Sequence, residues 1–128
     1  INKNSAITPK LAKQFSIDEK KLISTWRKKV EKITKKDKIA VWGGGAKGVT
    51  FCNLIDPKHK FFNFVIDLNP KKHGKFIPGS GHKIINYKDI PKYKITKAVL
   101  MNSNYYKENL VLLKKSNIEI ELLNIKSH

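Results

Sequence analysis

Apolar residues recur along this chain first at helical spacing and then in short runs. Leu22, Trp26, Val30 and Ile33 follow one another at intervals of four, four and three, which places one apolar stripe along a helix. Ser16-Ile17-Asp18-Glu19 fits a capping box for its start, and the pattern runs to about Lys35. Lys28, Lys29, Lys32, Lys35 and Lys36 cover the opposite face, and the later ones suit the negative end of the helix dipole. Ile39 to Trp42 is an unbroken apolar run, as expected of a strand buried on both faces. Three glycines follow, then a helical segment from Ala46 or Lys47 to about Ile55, closed by Asp56-Pro57. Phe64, Val65 and Ile66 predict a second strand ending on Asp67.

The second half repeats this alternation. Lys83 to Asn86 reads as a short strand and Tyr87 to Pro91 as a turn or short helical connection. Ala98 to Met101 predicts another strand, followed by a helix from Asn104 or Tyr105 to Ser116 with Leu110 and Leu113 facing inward. Glu119 to Leu123 predicts a last strand, its two glutamates suiting an edge. Residues 1–15 lack a period, contain Pro9 and read as a linker, and residues 124–128 read as a disordered tail. The sum is an α/β chain: a Rossmann-like parallel sheet of four or five strands with flanking helices and an extra N-terminal helix.

Composition narrows the setting. The 128 residues suit one domain spanning 16–128, and 40% hydrophobic residues argue against disorder. No run approaches the roughly 20 apolar residues of a membrane helix. The polar start, INKNSAITPK, lacks a secretory pattern and an initiator Met, so a piece of a longer chain is expected. One cysteine, Cys52, rules out an internal disulfide or a multi-thiolate zinc site; it reads as a small core residue, and the setting as cytoplasmic. The formal charge of +17 invites a nucleic-acid reading, but Arg27 is the sole arginine among 27 basic residues. Nucleic-acid readers favour arginine's bidentate fork, whereas these lysines are spread along the whole chain. A basic surface still attracts a phosphate-bearing ligand or an acidic neighbouring domain.

Candidate chemistry centres on Gly43, Gly45 and Gly48, which match G-x-G-x-x-G between a strand and a helix. The first glycine permits the turn, the second admits a ligand near the backbone, and the third lets helix pack on strand. The helix start then offers free N–H groups and partial positive charge to a phosphate, with Lys47 adding a full charge. Asp67 follows at about the twenty-residue spacing of a ribose-binding acid. The same residues also fit a plain strand-to-helix turn, with Asp67 capping the turn Asp67-Leu68-Asn69-Pro70. The loop from Leu68 to Gly81 carries turn signals at Asn69-Pro70 and Pro78-Gly79-Ser80-Gly81, with basic residues between. It is expected at the carboxyl edge of the sheet beside the glycine turn, as either a ligand loop or a basic surface loop. His73 and His82 lack metal-ligand spacing and read as surface residues or hydrogen-bond partners.

Trp42 to Thr50 (WGGGAKGVT), Phe64 to Ile84 (FVIDLNPKKHGKFIPGSGHKI) and Met101 to Tyr105 (MNSNY) give three blocks in order. Together they resemble the C-terminal domain of sugar-nucleotide C-methyltransferases over roughly Ile39 to Leu123. These multidomain enzymes methylate a carbon of a nucleotide-linked deoxy-ketosugar. The resemblance implies a zinc-binding region and an S-adenosylmethionine-binding domain upstream, the latter carrying most of the acid/base residues, so no catalytic or metal residue is expected here. It also implies that Gly43, Gly45, Lys47 and Gly48 serve the diphosphate or ribose. Asp67, Asn69 and Pro70 match the family's acid-turn block, Lys75, Pro78 and Gly79 its loop block, and Asn102 and Tyr105 its last block. Gly44 stands where Ala is common, and His73 where Gln is usual.

The expected function is therefore to bind and position a nucleotide-linked sugar for methyl transfer by an upstream domain, with the fragment not catalytic by itself. Two other classes fit parts of the pattern. A small NAD(P)- or other nucleotide-binding module would use Asp67 on an adenosine ribose. A non-catalytic interaction domain would use the lysine surface on an acidic protein or nucleic acid.

Overall fold

Strand β1 (Ile39–Trp42) lies at the centre of the sheet because all four of its residues are apolar and buried. The computed structural model describes residues 17–125. Helix α1 (Ile17–Ile33) precedes β1, and α2 (Ala46–Ile55) leads from it to β2 (Phe64–Ile66). Strand β3 (Lys83–Ile85), the one-turn helix α3 (Ile90–Tyr93), β4 (Lys97–Leu100), α4 (Tyr106–Lys115) and β5 (Glu121–Asn124) complete the chain. The five strands are all parallel, in the order β3-β2-β1-β4-β5. The chain thus steps outward from β1 to one side, then crosses back to fill the other, which is the Rossmann-like arrangement.

The two-residue period of the strands divides the core. Ile39, Val41, Val65, Val99 and Leu123 face α1 and α2, where they meet Trp26, Val30, Phe51, Cys52 and Ile55. Ala40, Trp42, Ile66, Leu100 and Leu122 face the other way, onto Ile90 and Leu113 of α3 and α4. The expected stripe on α1 is buried at Trp26 and Val30, with Ile33 packed against the same cluster. Trp26 also donates its indole N–H to the carbonyl of Ile125 at 3.0 Å, tying the first helix to the end of the last strand. The capping box at Ser16, the linker over 1–15 and the last three residues lie outside the described residues.

Several boundaries shift. Asn124 pairs with Leu100 as part of β5 and Ile125 is buried, so the expected disordered tail is ordered through Ile125. Two residues inside α4 change places: Leu110 is exposed, and Asn109 is buried four residues before Leu113. The inner stripe of that helix therefore carries a polar residue where sequence periodicity favoured a leucine.

The loop between β2 and β3 takes a path the sequence did not suggest. It leaves β2 at the carboxyl edge, but from Gly74 onward it runs down the outside of β3. Gly74 and Ile77 donate backbone hydrogen bonds to Ile84 and His82, Ile84 donates back to Lys75, and Phe76 bridges Lys83 in antiparallel sense. The turn at Pro78 to Gly81 consequently lies at the amino edge, opposite the glycine turn, which corrects the expectation that the whole loop rises beside the glycines. The Pro78 carbonyl accepts from the Asn53 side-chain amide at 2.9 Å.

At that amino edge a buried polar cluster fixes the end of α2. Asp56 accepts backbone N–H bonds from Lys60, Phe61 and Phe62 at 2.7, 3.0 and 3.1 Å. His82 Nε2 lies 3.0 Å from the same carboxylate, and His82 Nδ1 lies 2.6 Å from Ser80 Oγ. With Nε2 protonated, Nδ1 accepts from the Ser80 hydroxyl and every group in the chain is satisfied. His82 also stacks on Phe62, with ring centroids 4.3 Å apart. The order Ser-His-Asp looks like that of a hydrolase, but all three residues are buried and the carboxylate is occupied by the following loop. This is a folding clasp, and it shows why His82 is a hydrogen-bond partner rather than a surface residue.

Candidate functional site

Backbone conformation at Gly43 and a close approach at Gly48 each demand glycine in this turn. Gly43 has φ +124°, in the region that disfavours residues with a Cβ. Gly48 lies in the first turn of α2 directly against it: a Cβ there would fall 1.9 Å from the Gly43 carbonyl oxygen. The third glycine therefore brings the helix onto the end of β1, as its spacing suggested. Gly45 is different. It is the N-cap of α2, has ordinary extended backbone, and a Cβ on it would meet no atom within 4 Å. It borders open space. Gly45 has no side chain with which to cap this helix start.

That space is a cleft of about 910 Å³ at the carboxyl edge. Its walls are the glycine turn, Asp67, Leu68 and Lys72 after β2, residues 101–105 after β4, and the inner side of α4. It opens where the strand order reverses between β1 and β4, the place at which open α/β sheets bind ligands. Its volume falls in the range of small-molecule sites.

Asp67 joins the two sides of the turn. One carboxylate oxygen accepts the Gly44 N–H at 2.9 Å, and the other accepts the Asn69 N–H at 2.9 Å. The turn-capping alternative for Asp67 is therefore real, and Asn69 caps the 3-10 turn that follows by accepting from Lys71 N–H. A carboxylate has about four acceptor positions, so these two bonds leave capacity for a ribose hydroxyl. Lys72 stands 3.8 Å from Asp67 and 3.4 Å from the Gly44 carbonyl oxygen, which brings a positive charge to the turn. His73 contacts the Asp67 carbonyl oxygen through Nε2 at 2.6 Å. The Cys52 thiol is buried on the other side of the turn's helix, and burial pushes its pKa up, so it is an inert core group.

Of the residues singled out in the sequence, Gly43, Gly45, Lys47, Gly48, Asp67, Asn102 and Tyr105 line the cleft together. Asn69 acts behind Asp67, in the turn. Lys75, Pro78 and Gly79 do not line it: Lys75 pairs with β3, and Pro78 and Gly79 are in the amino-edge turn. Lys72 occupies the basic position that Lys75 was expected to supply. Sequence alone could not choose between them, because the choice depends on where the 3-10 turn after Asn69 aims the chain. Asn109 was also missed, although a polar residue on the Leu113 side of an amphipathic helix was a visible signal.

No curated protein matches this chain. Among solved structures it is similar to UDP-D-quinovosamine 4-dehydrogenase from Vibrio fischeri, with TM-score 0.51 and 23% identity over 70% of this chain and 77% of that one. RSP, a Rex-family repressor, aligns with TM-score 0.49 and 17% identity over 71% of this chain and 54% of that one. RSP in complex with beta-NADH aligns with TM-score 0.48 and 13% identity over 86% and 87%. At these identities the likeness to the dehydrogenase is one of fold. A model of the C-methyltransferase C-terminal domain matches residues 5–118, nearly the whole chain, so the protein belongs to the C-methyltransferase C-terminal domain family.

Proposed function

We propose that the carboxyl-edge cleft holds a nucleotide-linked sugar and presents it for methylation completed with a separate domain that binds S-adenosylmethionine. The observation that carries this reading is the open helix start at Gly45. A helix start whose N-cap residue has no side chain, bordering a cleft and with Lys72 on the turn, is matched to a diphosphate. The three sequence blocks and the family support the sugar. The same positive end opposes a sulfonium, so the methyl donor is assigned elsewhere; when bound, it supplies an electrophilic methyl group. Residues 1–15 then serve as a linker to that upstream domain, with 16–128 as the sugar-holding domain, in a cytoplasmic enzyme. Among the described residues, no helix is long and apolar enough to cross a membrane.

In this scheme the chain's own work is positioning. The turn N–H groups and Lys72 hold the diphosphate, Asp67 takes a ribose hydroxyl, and Asn102 and Tyr105 border the cleft from the β4 side. Fixing the sugar lets the keto group's acidified neighbouring carbon meet the methyl donor in a productive orientation. Membership in the family makes a methyltransferase setting the frame for all of these roles.

Titration calorimetry with a thymidine-diphosphate sugar, NAD and S-adenosylmethionine tests the reading. The sugar nucleotide is expected to bind best. Gly45→Ala is expected to weaken it about tenfold, the loss of about 1.4 kcal/mol, while the melting temperature changes little, because the new methyl group enters the cleft and touches no protein atom. Tighter binding of NAD than of the sugar nucleotide, or a Gly45→Ala protein that binds as well as wild type, contradicts it.

A further inference from the structure

Asn109 is 4% exposed and lines the cleft, and its side chain makes no hydrogen bond with any described residue. Its amide atoms are not sealed in the core but reach the cleft, where a donor and an acceptor are open to a ligand. Its fellow buried amide, Asn53, is bound by its nitrogen to Val49 and Pro78 carbonyls. Asn109 has no such anchor. Trp42, Leu100 and Leu112 line the cleft with it, as do Leu68 and Tyr105, each about half exposed.

Trp42, Leu100 and Leu112, with the Asn109 amide among them, make a slot suited to a flat ring with a polar edge, while Asn102 and Asn104, which also line the cleft, are exposed. A carboxamide offers one donor and one acceptor side by side, which is the complement of a nucleobase edge. We propose that Asn109 reads the edge of the nucleobase of the bound nucleotide, with the ring seated between Leu68 and the Tyr105–Leu112 wall. This inference rests on the diphosphate reading above and adds to it the residue that selects the base. Asn109 is a specificity residue, distant in role from the glycine turn that grips the phosphates.

The test titrates wild type and Asn109→Leu, as the full chain, with dTDP, CDP, ADP and GDP, and records each protein's melting temperature without ligand. Wild type is expected to separate its best and worst ligands by about tenfold or more, because a site built to pair with a polar edge rejects edges that leave it unpaired. In Asn109→Leu that spread is expected to collapse to within about threefold through loss of the best ligand's advantage. The unliganded Asn109→Leu protein should melt no lower than wild type, since the lost amide had no partner to abandon. Equal binding of all four by wild type, or an unchanged spread in Asn109→Leu, overturns the proposal while leaving the diphosphate site intact. A lower melting temperature with equal loss of all four ligands also overturns it, by giving Asn109 a structural role. Failure of wild type to bind any of the four removes the diphosphate site itself and this proposal with it.

Discussion

Gly48→Ala is expected to destabilise the protein by about 3 kcal/mol or more and to abolish ligand binding at the cleft. The added Cβ would sit 1.9 Å from the Gly43 carbonyl oxygen, and that neighbour is backbone rather than a movable side chain. Gly43 cannot easily yield. Its amide donates to the Ile66 carbonyl at 2.7 Å, its φ is +124°, and the Met101 side chain lies 3.3 Å from where its own Cβ would stand. The helix must therefore move off the end of β1, and the cleft wall moves with it. Thermal unfolding followed by circular dichroism should show a drop of roughly 10 °C, given the usual few degrees per kcal/mol for a domain of this size. A Gly48→Ala protein that melts near wild type would mean that the close approach of α2 to β1 is not as described.

Asp56→Ala should have the larger effect on stability alone, about 3–5 kcal/mol, the scale for breaking a buried hydrogen-bonded charge. The substitution leaves the N–H groups of Lys60, Phe61 and Phe62 and the His82 ring without their shared acceptor. The carboxyl also sets a dependence on acid. Burial by itself raises its pKa, but the hydrogen bond from His82 and those from the Phe62, Lys60 and Phe61 amides outweigh it, so the group sits below its ordinary value of 3.8. A carboxyl with a lowered folded-state pKa adds stability that is fully present above pH 3.8 and is lost as the pH falls through the lower folded value. Wild type should thus lose this contribution only below about pH 4. Asp56→Ala should show a lower melting temperature at neutral pH and a shallower decline in acid. Because the clasp is at the amino edge, Asp56→Ala protein that remains folded should keep its ligand preference. Equal melting temperatures for the two proteins at pH 7 would exclude the clasp.

How much of this was legible in the sequence depended on whether neighbours along the chain decided the outcome. The buried run Ile39–Trp42, the glycine spacing and the acid after Phe64–Ile66 are local patterns, and each became the element it suggested. The edge position of β5 was visible in Glu119 and Glu121, and Glu121 pairs with Lys97 of the neighbouring β4. The path of the β2–β3 loop was not visible. Basic residues and turn signals look alike at either end of a sheet, and the antiparallel pairing of 74–77 with β3 is a tertiary contact. For the same reason Lys72 and Lys75 could not be told apart, and Pro78 and Gly79 lay far from the glycines despite belonging to one block of the family resemblance. The buried state of His82 depended on Asp56, 26 positions away in the chain. Asn109 was overlooked although Leu113 four residues on marked its side of α4, because Leu110 and Leu113 fit an inner stripe nearly as well by periodicity.

The most direct measurement is an amide NMR titration of the chain with thymidine diphosphate. Shifts concentrated at Gly44 through Gly48, with a second group at residues 102–105 and none at Lys75 through His82, would place the anion at the helix start. Shifts confined to the Pro78–His82 turn, or a glycine turn silent at saturating ligand, would contradict the account.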